Sequence, residues 1–255
     1  MPWDPAQYLR FASARLRPAL DLLARIEADT PATVVDLGCG TGNVTALLAA
    51  RWPDADVVGV DDSPEMLARA AADHPGLRFV AGDVSSWRPD RPAAVVYSNA
   101  ALHWLDDHDR LFPDLLGAVA RGGTLAVQMP RNHHAPSHTA VAAAVAAGPW
   151  AGRLRPLLRP FPVREPAFYH DLLAPAAALD IWETEYLHVL TGDDPVAEWT
   201  RGSLLRPLLA ALDADIAARF YADYSARIAA AYPRRADGTT LFPFRRLFIV
   251  ARRPG

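Results

Sequence analysis

Apolar positions change their spacing several times along the chain, and those changes divide it. Near the start, Tyr8, Phe11, Leu16, Leu20 and Leu23 recur at roughly helical intervals with arginines between them, so the first thirty residues read as a helix. From Thr33 the pattern becomes short and continuous: Thr33-Val-Val-Asp-Leu ends at Gly38, as a strand buried on both faces does. Helical spacing over 43–52 stops at Pro53, and a second buried strand is predicted over 56–60. Ser63-Pro64 marks the next helix start, with a hydroxyl to cap it, proline in its first turn and Glu65 placed to meet its dipole. Further strands are predicted over 77–80, 94–97 and 124–129, with Gly122-Gly123 ending the helix before the last of them. Strands alternating with helices imply right-handed crossovers and a parallel sheet.

After Pro130 that rhythm is lost. Residues 131–178, rich in Pro, Ala and Arg, predict loops and short helices. A loosely alternating strand over 179–190, two helices over 195–211 and 213–231, and a strongly apolar strand over 244–251 follow. The expected fold class is α/β: a Rossmann-like, mostly parallel seven-stranded sheet with helices on both faces. We expect one domain over 1–255, its core formed by about 30–130 with strands near 179–190 and 244–253. A helical cap is expected from about 131–178 and 195–231.

Composition narrows the chemistry. All 26 basic residues counted as Lys+Arg are arginine. Schiff-base catalysis, pyridoxal-phosphate attachment and a Walker A loop each need a lysine and are excluded. One cysteine, Cys39, rules out an internal disulfide framework and a multi-cysteine zinc site. His133, His134 and His138 lack the carboxylate partners of a fuller ligand set, so no metal is expected. The net charge of −3 argues against a general nucleic-acid binder. No basic leader with an apolar stretch opens the chain, and the apolar run 139–148 is too short to span a bilayer. A cytoplasmic enzyme with no membrane partner is the expectation, with its oligomeric state open.

The run Asp36-Leu-Gly-Cys-Gly-Thr-Gly42 follows the first strand. Dehydrogenases favour G-x-G-x-x-G, whereas here Gly38, Gly40 and Gly42 alternate and an acid stands two residues before the first. That spacing resembles motif I of class I methyltransferases. Positions without side chains let the backbone approach a ligand closely, and Asp36 suits a cationic ligand, S-adenosyl-L-methionine, better than a diphosphate. Asp61 ends the second strand, where an acceptor pair suits a ribose diol. This supports a nucleoside site without naming the cofactor. Asp83 follows the third strand, where the family's carboxylate accepts from the adenine amine.

Nearly the whole chain resembles the trans-aconitate 2-methyltransferase family. The resemblance is carried by Trp3-Asp-Pro5 with Tyr8 and Phe11, Leu47-Leu48, Arg51-Trp-Pro53, Asn99-Ala-Ala-Leu-His-Trp-Leu105 and Leu111-Phe-Pro113. It continues through 125–130, Asp180-Ile-Trp182, Leu205-Arg-Pro207 and 247–253. It implies methyl transfer from S-adenosylmethionine to one carboxylate of trans-aconitate, a small-molecule acid. No dedicated catalytic base is then expected, because a carboxylate is already ionised at neutral pH.

The resemblance extends the cofactor site to Tyr8, Asn43, Asp62, Met66, Val84 and Asn99. It implies substrate contacts from Trp104, Tyr186, His188, Trp199, Arg206 and Arg246, the arginines gripping the carboxylates that do not react. Trp3 and Tyr8 suggest a lid over the cofactor, with simple packing of the first helix as the alternative. Arg131-Asn-His-His134 departs from the family pattern, with a basic residue where an acid is usual. A methyltransferase for another small acceptor, or a protein that binds the nucleoside without catalysis, remains open at this point.

Overall fold

A computed structural model describes residues 16–202 and 204–255. Trp3, Tyr8 and the first half of the expected first helix lie outside the described residues; within the rest, α1 spans Arg17–Leu23. The chain forms two compact units, one of residues 1–130, 162–184 and 246–255, the other of 131–161 and 185–245.

Seven strands form one sheet: β1 (Thr33–Leu37), β2 (Asp56–Asp61), β3 (Arg78–Ala81), β4 (Ala93–Asn99), β5 (Val119–Pro130), β6 (Ala178–Thr191) and β7 (Thr239–Arg252). Their order is β3-β2-β1-β4-β5-β7-β6. The pairs among β1 to β5 are parallel and β7 runs antiparallel to β5, giving the expected mostly parallel Rossmann-like sheet. The crossovers carry α2 (Asn43–Arg51), α3 (Pro64–Asp73) and α4 (His108–Gly117). Chain order moves outward from β1 to β3 and then returns to β4 on the other side of β1. The carboxyl ends of β1 and β4 therefore flank a topological switch point, where such sheets open a ligand crevice.

The first unit is built on the buried apolar positions of the sheet, such as Val35, Val96, Val127 and Ile249. Against them pack Phe112 and Leu115 of α4 and Tyr169 of α5 (Pro166–Leu173). A buried polar chain fixes the turn after β4. The His108 ring lies 3.0 Å from the Leu102 carbonyl through Nε2 and 2.7 Å from the Tyr169 hydroxyl through Nδ1. A carbonyl can only accept, so Nε2 carries the proton and Nδ1 accepts from tyrosine. Tyr169 in turn accepts from the Arg164 backbone N–H at 3.1 Å. Burial holds the imidazole below its ordinary pKa, in keeping with a neutral ring.

The second unit has its own core. Val141 and Val145 of α6 (Pro136–Ala147) meet Phe220, Tyr224 and Ile228 of α7 (Ala214–Ala231) together with Phe242 and Phe244. The Tyr224 hydroxyl donates to the Ser137 carbonyl at 2.8 Å, so its buried polar tip is satisfied.

Two sequence expectations are corrected here. Gly122-Gly123 does not end a helix: α4 stops at Gly117, and both glycines lie inside β5, where the register with β4 shifts between Ala93 and Val95. A Cβ on Gly123 would stand 2.6 Å from the Ala94 carbonyl oxygen, so close backbone approach demands glycine there. The helix expected over 195–211 is two short ones, α8 (Pro195–Arg201) and α9 (Arg206–Ala210). Gly202 closes the first, and Pro207, which lacks an N–H, sits in the opening turn of the second. Among the described residues, no helix is long and apolar enough to cross a membrane.

Candidate cofactor and acceptor site

The loop after β1 needs three left-handed glycines: Gly38 at φ +75°, Gly40 at +54° and Gly42 at +78°. The three differ in what surrounds them. A Cβ on Gly38 would lie 2.2 Å from the Ala101 side chain, so this glycine lets the β1 loop press against the loop after β4. A Cβ on Gly42 would run into the Phe79 ring at 2.7 Å. A Cβ on Gly40 would meet nothing within 4 Å among the described residues, so that side of the backbone faces open space. A bare, left-handed loop facing open space at the switch point is the cradle that a nucleoside cofactor requires.

Asp61 ends β2 and supports that loop directly. One carboxylate oxygen accepts from the Gly40 N–H at 2.8 Å, the other from the Ser63 N–H at 3.0 Å. A carboxylate offers about four lone-pair positions, so roughly two remain for a ligand diol. Ser63 caps α3 by accepting from the Met66 N–H at 3.3 Å, as its sequence context predicts. Asp83 lies exposed just after β3 and accepts from the Ser85 N–H at 2.8 Å; the Ser85 hydroxyl first, and this N–H second, hold its pKa below the usual carboxylate value. Val84 beside it is buried, while Asn43, Asp62 and Met66 are exposed. Tyr8 lies outside the described residues.

Asp36 is almost wholly buried and accepts from the Thr45 hydroxyl at 2.7 Å, tying β1 to α2. Burial raises its pKa from 3.8 to about 7, against the lowering effect of the Thr45 bond. Because the folded state holds this proton more tightly than the unfolded chain, Asp36 favours folding below about pH 4. That contribution is lost as pH rises through 7. The difference is on the order of 4 kcal/mol. Asp36→Asn is therefore expected to raise the thermal midpoint at pH 8 more than at pH 5. An equal shift at both pH values would show that Asp36 titrates normally.

At the carboxyl edge of the first unit the sheet carries a second group of polar side chains. Asn99 ends β4 and pairs in register with Gln128 of β5. The antiparallel β7 brings Arg246 opposite Pro130, two residues farther along β5. Arg246 is 7% exposed, Gln128 is fully buried, and Arg246 Nη1 donates to Gln128 Oε1 at 3.4 Å. Among the described residues, Asn99 Oδ1 and Gln128 Nε2 are buried without hydrogen-bond partners. The following Ala100 adopts φ +55°, a strained conformation for a residue with a Cβ, and its N–H donates to the Gln128 carbonyl at 2.9 Å. The residues expected from sequence at this site include Asn99 and Arg246 but not Gln128. Its signal was a lone amide inside the apolar run Leu125-Ala-Val-Gln-Met, which a buried central strand does not otherwise admit.

The remaining expected acceptor residues are divided between the two units. Trp104, in the turn after β4, is 61% exposed. Within the second unit, Tyr186 and His188 are buried, and the His188 ring lies 4.7 Å from that of Trp199, beside Phe242 and Phe244. Arg206 is exposed at the first residue of the five-residue α9, while its neighbour Leu205 is buried. Among the described residues no group of three or more His, Cys, Asp or Glu could hold a metal ion.

Residues 34–123 match the family described as "Methyltransferase domain". The chain is 47% identical to a trans-aconitate 2-methyltransferase of Methylobacterium radiotolerans and 49% identical to one of an Azoarcus species. Each match spans 98% of both chains. Among solved structures, an S-adenosylmethionine-dependent methyltransferase from Mesorhizobium loti superposes with a TM-score of 0.53 at 23% identity. That match covers 94% of this chain and 99% of the other.

Proposed function

The chain belongs to the trans-aconitate 2-methyltransferase family of S-adenosylmethionine-dependent enzymes, and from that premise we propose that it esterifies one carboxylate of trans-aconitate or a closely related tricarboxylic acid. The observation that carries this reading to an acid acceptor is the buried Arg246 at the same sheet edge as the glycine loop. A buried guanidinium beside a cofactor crevice favours an anion, and its planar fork matches a carboxylate.

Bound S-adenosylmethionine supplies an electrophilic methyl group on a sulfonium. The chain has to hold the two reactants in line and keep water out. In this reading Gly40 and Asp61 hold the nucleoside end, and Arg246 holds a carboxylate that does not react. The reacting carboxylate is ionised near neutral pH and needs no base. Of the family-implied contacts, Trp104 offers an exposed aromatic face in the first unit, whereas Tyr186, His188, Trp199 and Arg206 belong to the second unit and rest on the family resemblance alone. The net charge of −3 fits a small-molecule acid better than nucleic acid as partner, and we read the enzyme as cytoplasmic.

The test is incubation with methyl-labelled S-adenosylmethionine and a panel of tricarboxylates. Base-labile label on trans-aconitate, the mark of an ester, is the expected result. Label appearing only on other acceptors, or cofactor binding without turnover on any acid, would overturn the reading.

A further inference from the structure

Gln128 is an unusual residue for its position. It sits in a central strand between Val127 and Met129, fully buried, where an unpaired amide is costly. Its orientation is fixed by chemistry: a guanidinium has only donors, so the side-chain oxygen must face Arg246 Nη1, and the NH2 group must point elsewhere. That NH2 has no hydrogen-bond partner among the described residues. Paired residues on neighbouring strands present their side chains to the same face of a sheet. Asn99, Gln128 and Arg246 therefore follow one another on one face of the carboxyl edge, moving away from the glycine loop. Their chemistry changes along that line from an unpaired acceptor, Asn99 Oδ1, to an unpaired donor, Gln128 Nε2, to a cation. A cationic cofactor and an anionic acceptor laid side by side would need this order.

We propose that Gln128 is an acceptor-positioning residue, whose Nε2 donates to the carboxylate that Arg246 neutralises while Arg246 holds its amide in the donating orientation. This rests on the reading of the acceptor as an acid. The buried amide and the guanidinium then grip one carboxylate from two sides, and neither Gln128 Nε2 nor the bound carboxylate is left unsatisfied.

The experiment compares wild type with Gln128→Met, which keeps the volume and loses the donor, and Gln128→Glu, which keeps the shape and replaces the donor by a charge that repels an acid. The wild-type assay with trans-aconitate comes first, since absence of ester there overturns the acid reading and this proposal with it. Given wild-type turnover, Gln128→Met is expected to raise the acceptor KM about 10- to 100-fold, the range for a lost hydrogen bond to a charged group. Gln128→Glu should raise it further. The Kd for S-adenosylhomocysteine should stay within twofold in both.

Dicarboxylates lacking each carboxylate in turn supply the control that a structural role would not satisfy. One of them should bind wild type and Gln128→Met equally, because it lacks the group that Nε2 holds. An unchanged trans-aconitate KM, or an equal loss for every acid accompanied by weaker cofactor binding, would overturn the proposal while leaving the acid reading intact. Should Gln128→Met fail to fold, Gln128→Glu, whose charge pairs with Arg246, carries the same comparison.

Discussion

Asp61→Ala is expected to weaken S-adenosylmethionine binding by about 100-fold or more, and to do so twice over. The carboxylate is expected to accept both ribose hydroxyls, and hydrogen bonds to a charged group contribute about 1.5–3 kcal/mol each. It also accepts from the Gly40 and Ser63 backbone N–H groups, so its removal loosens the loop that receives the ligand. Asp61→Asn separates the two effects. An amide keeps one acceptor but turns an NH2 toward one of those two N–H groups. Its cofactor-free melting temperature should therefore fall nearly as far as that of Asp61→Ala, while its Kd rises less. Calorimetric titration and thermal unfolding measure both. A wild-type Kd in Asp61→Ala would remove Asp61 from the nucleoside site.

Arg246→Leu is expected to cut kcat/KM for trans-aconitate by about 100-fold or more, almost entirely through acceptor binding. Removing one member of a buried, hydrogen-bonded charge pair costs about 2–5 kcal/mol. Here the acid would meet an apolar surface instead of a guanidinium. Leucine has no donor for Gln128 Oε1, so the amide loses its orientation as well. Arg246→Lys keeps the charge but not the fork, and should recover part of the loss. Cofactor affinity serves as the internal reference, since the glycine loop and Asp61 lie at other strand ends. A trans-aconitate KM within threefold of wild type in Arg246→Leu would leave the buried guanidinium without a role in acceptor binding.

Much of the fold and of the glycine loop is legible in the sequence, because the relevant signals are local. Alternating glycines after an apolar run require left-handed backbone, and φ values of +54° to +78° follow. An acid at the end of a buried strand lands at the crevice because parallel strands align their carboxyl ends. Long-range contacts were less legible. Gly122-Gly123 reads as a helix stop, yet the constraint on Gly123 comes from the Ala94 carbonyl of a neighbouring strand. Gln128 looks like a blemish in an apolar strand until the antiparallel β7 brings a guanidinium to its oxygen. Arg206, between Leu205 and Pro207 in what reads as a longer cap helix, is exposed at the first residue of a five-residue helix, while Leu205 and Leu208 are buried. Ala100 carries no sequence mark of its strained backbone at all.

The buried Asp36 gives the cofactor loop a proton inventory. With a pKa of about 7, the carboxyl is roughly half protonated in the neutral range, and a cation arriving at the loop favours its ionised form. Uptake of a sulfonium is then expected to release part of a proton into solution, and the uncharged thioether left after transfer much less. The preference for fresh donor over spent product is expected to widen as the medium becomes more alkaline, which calorimetric titration of both ligands across the neutral range would check. A carboxyl that costs the fold stability at high pH would there help the enzyme escape inhibition by its own product.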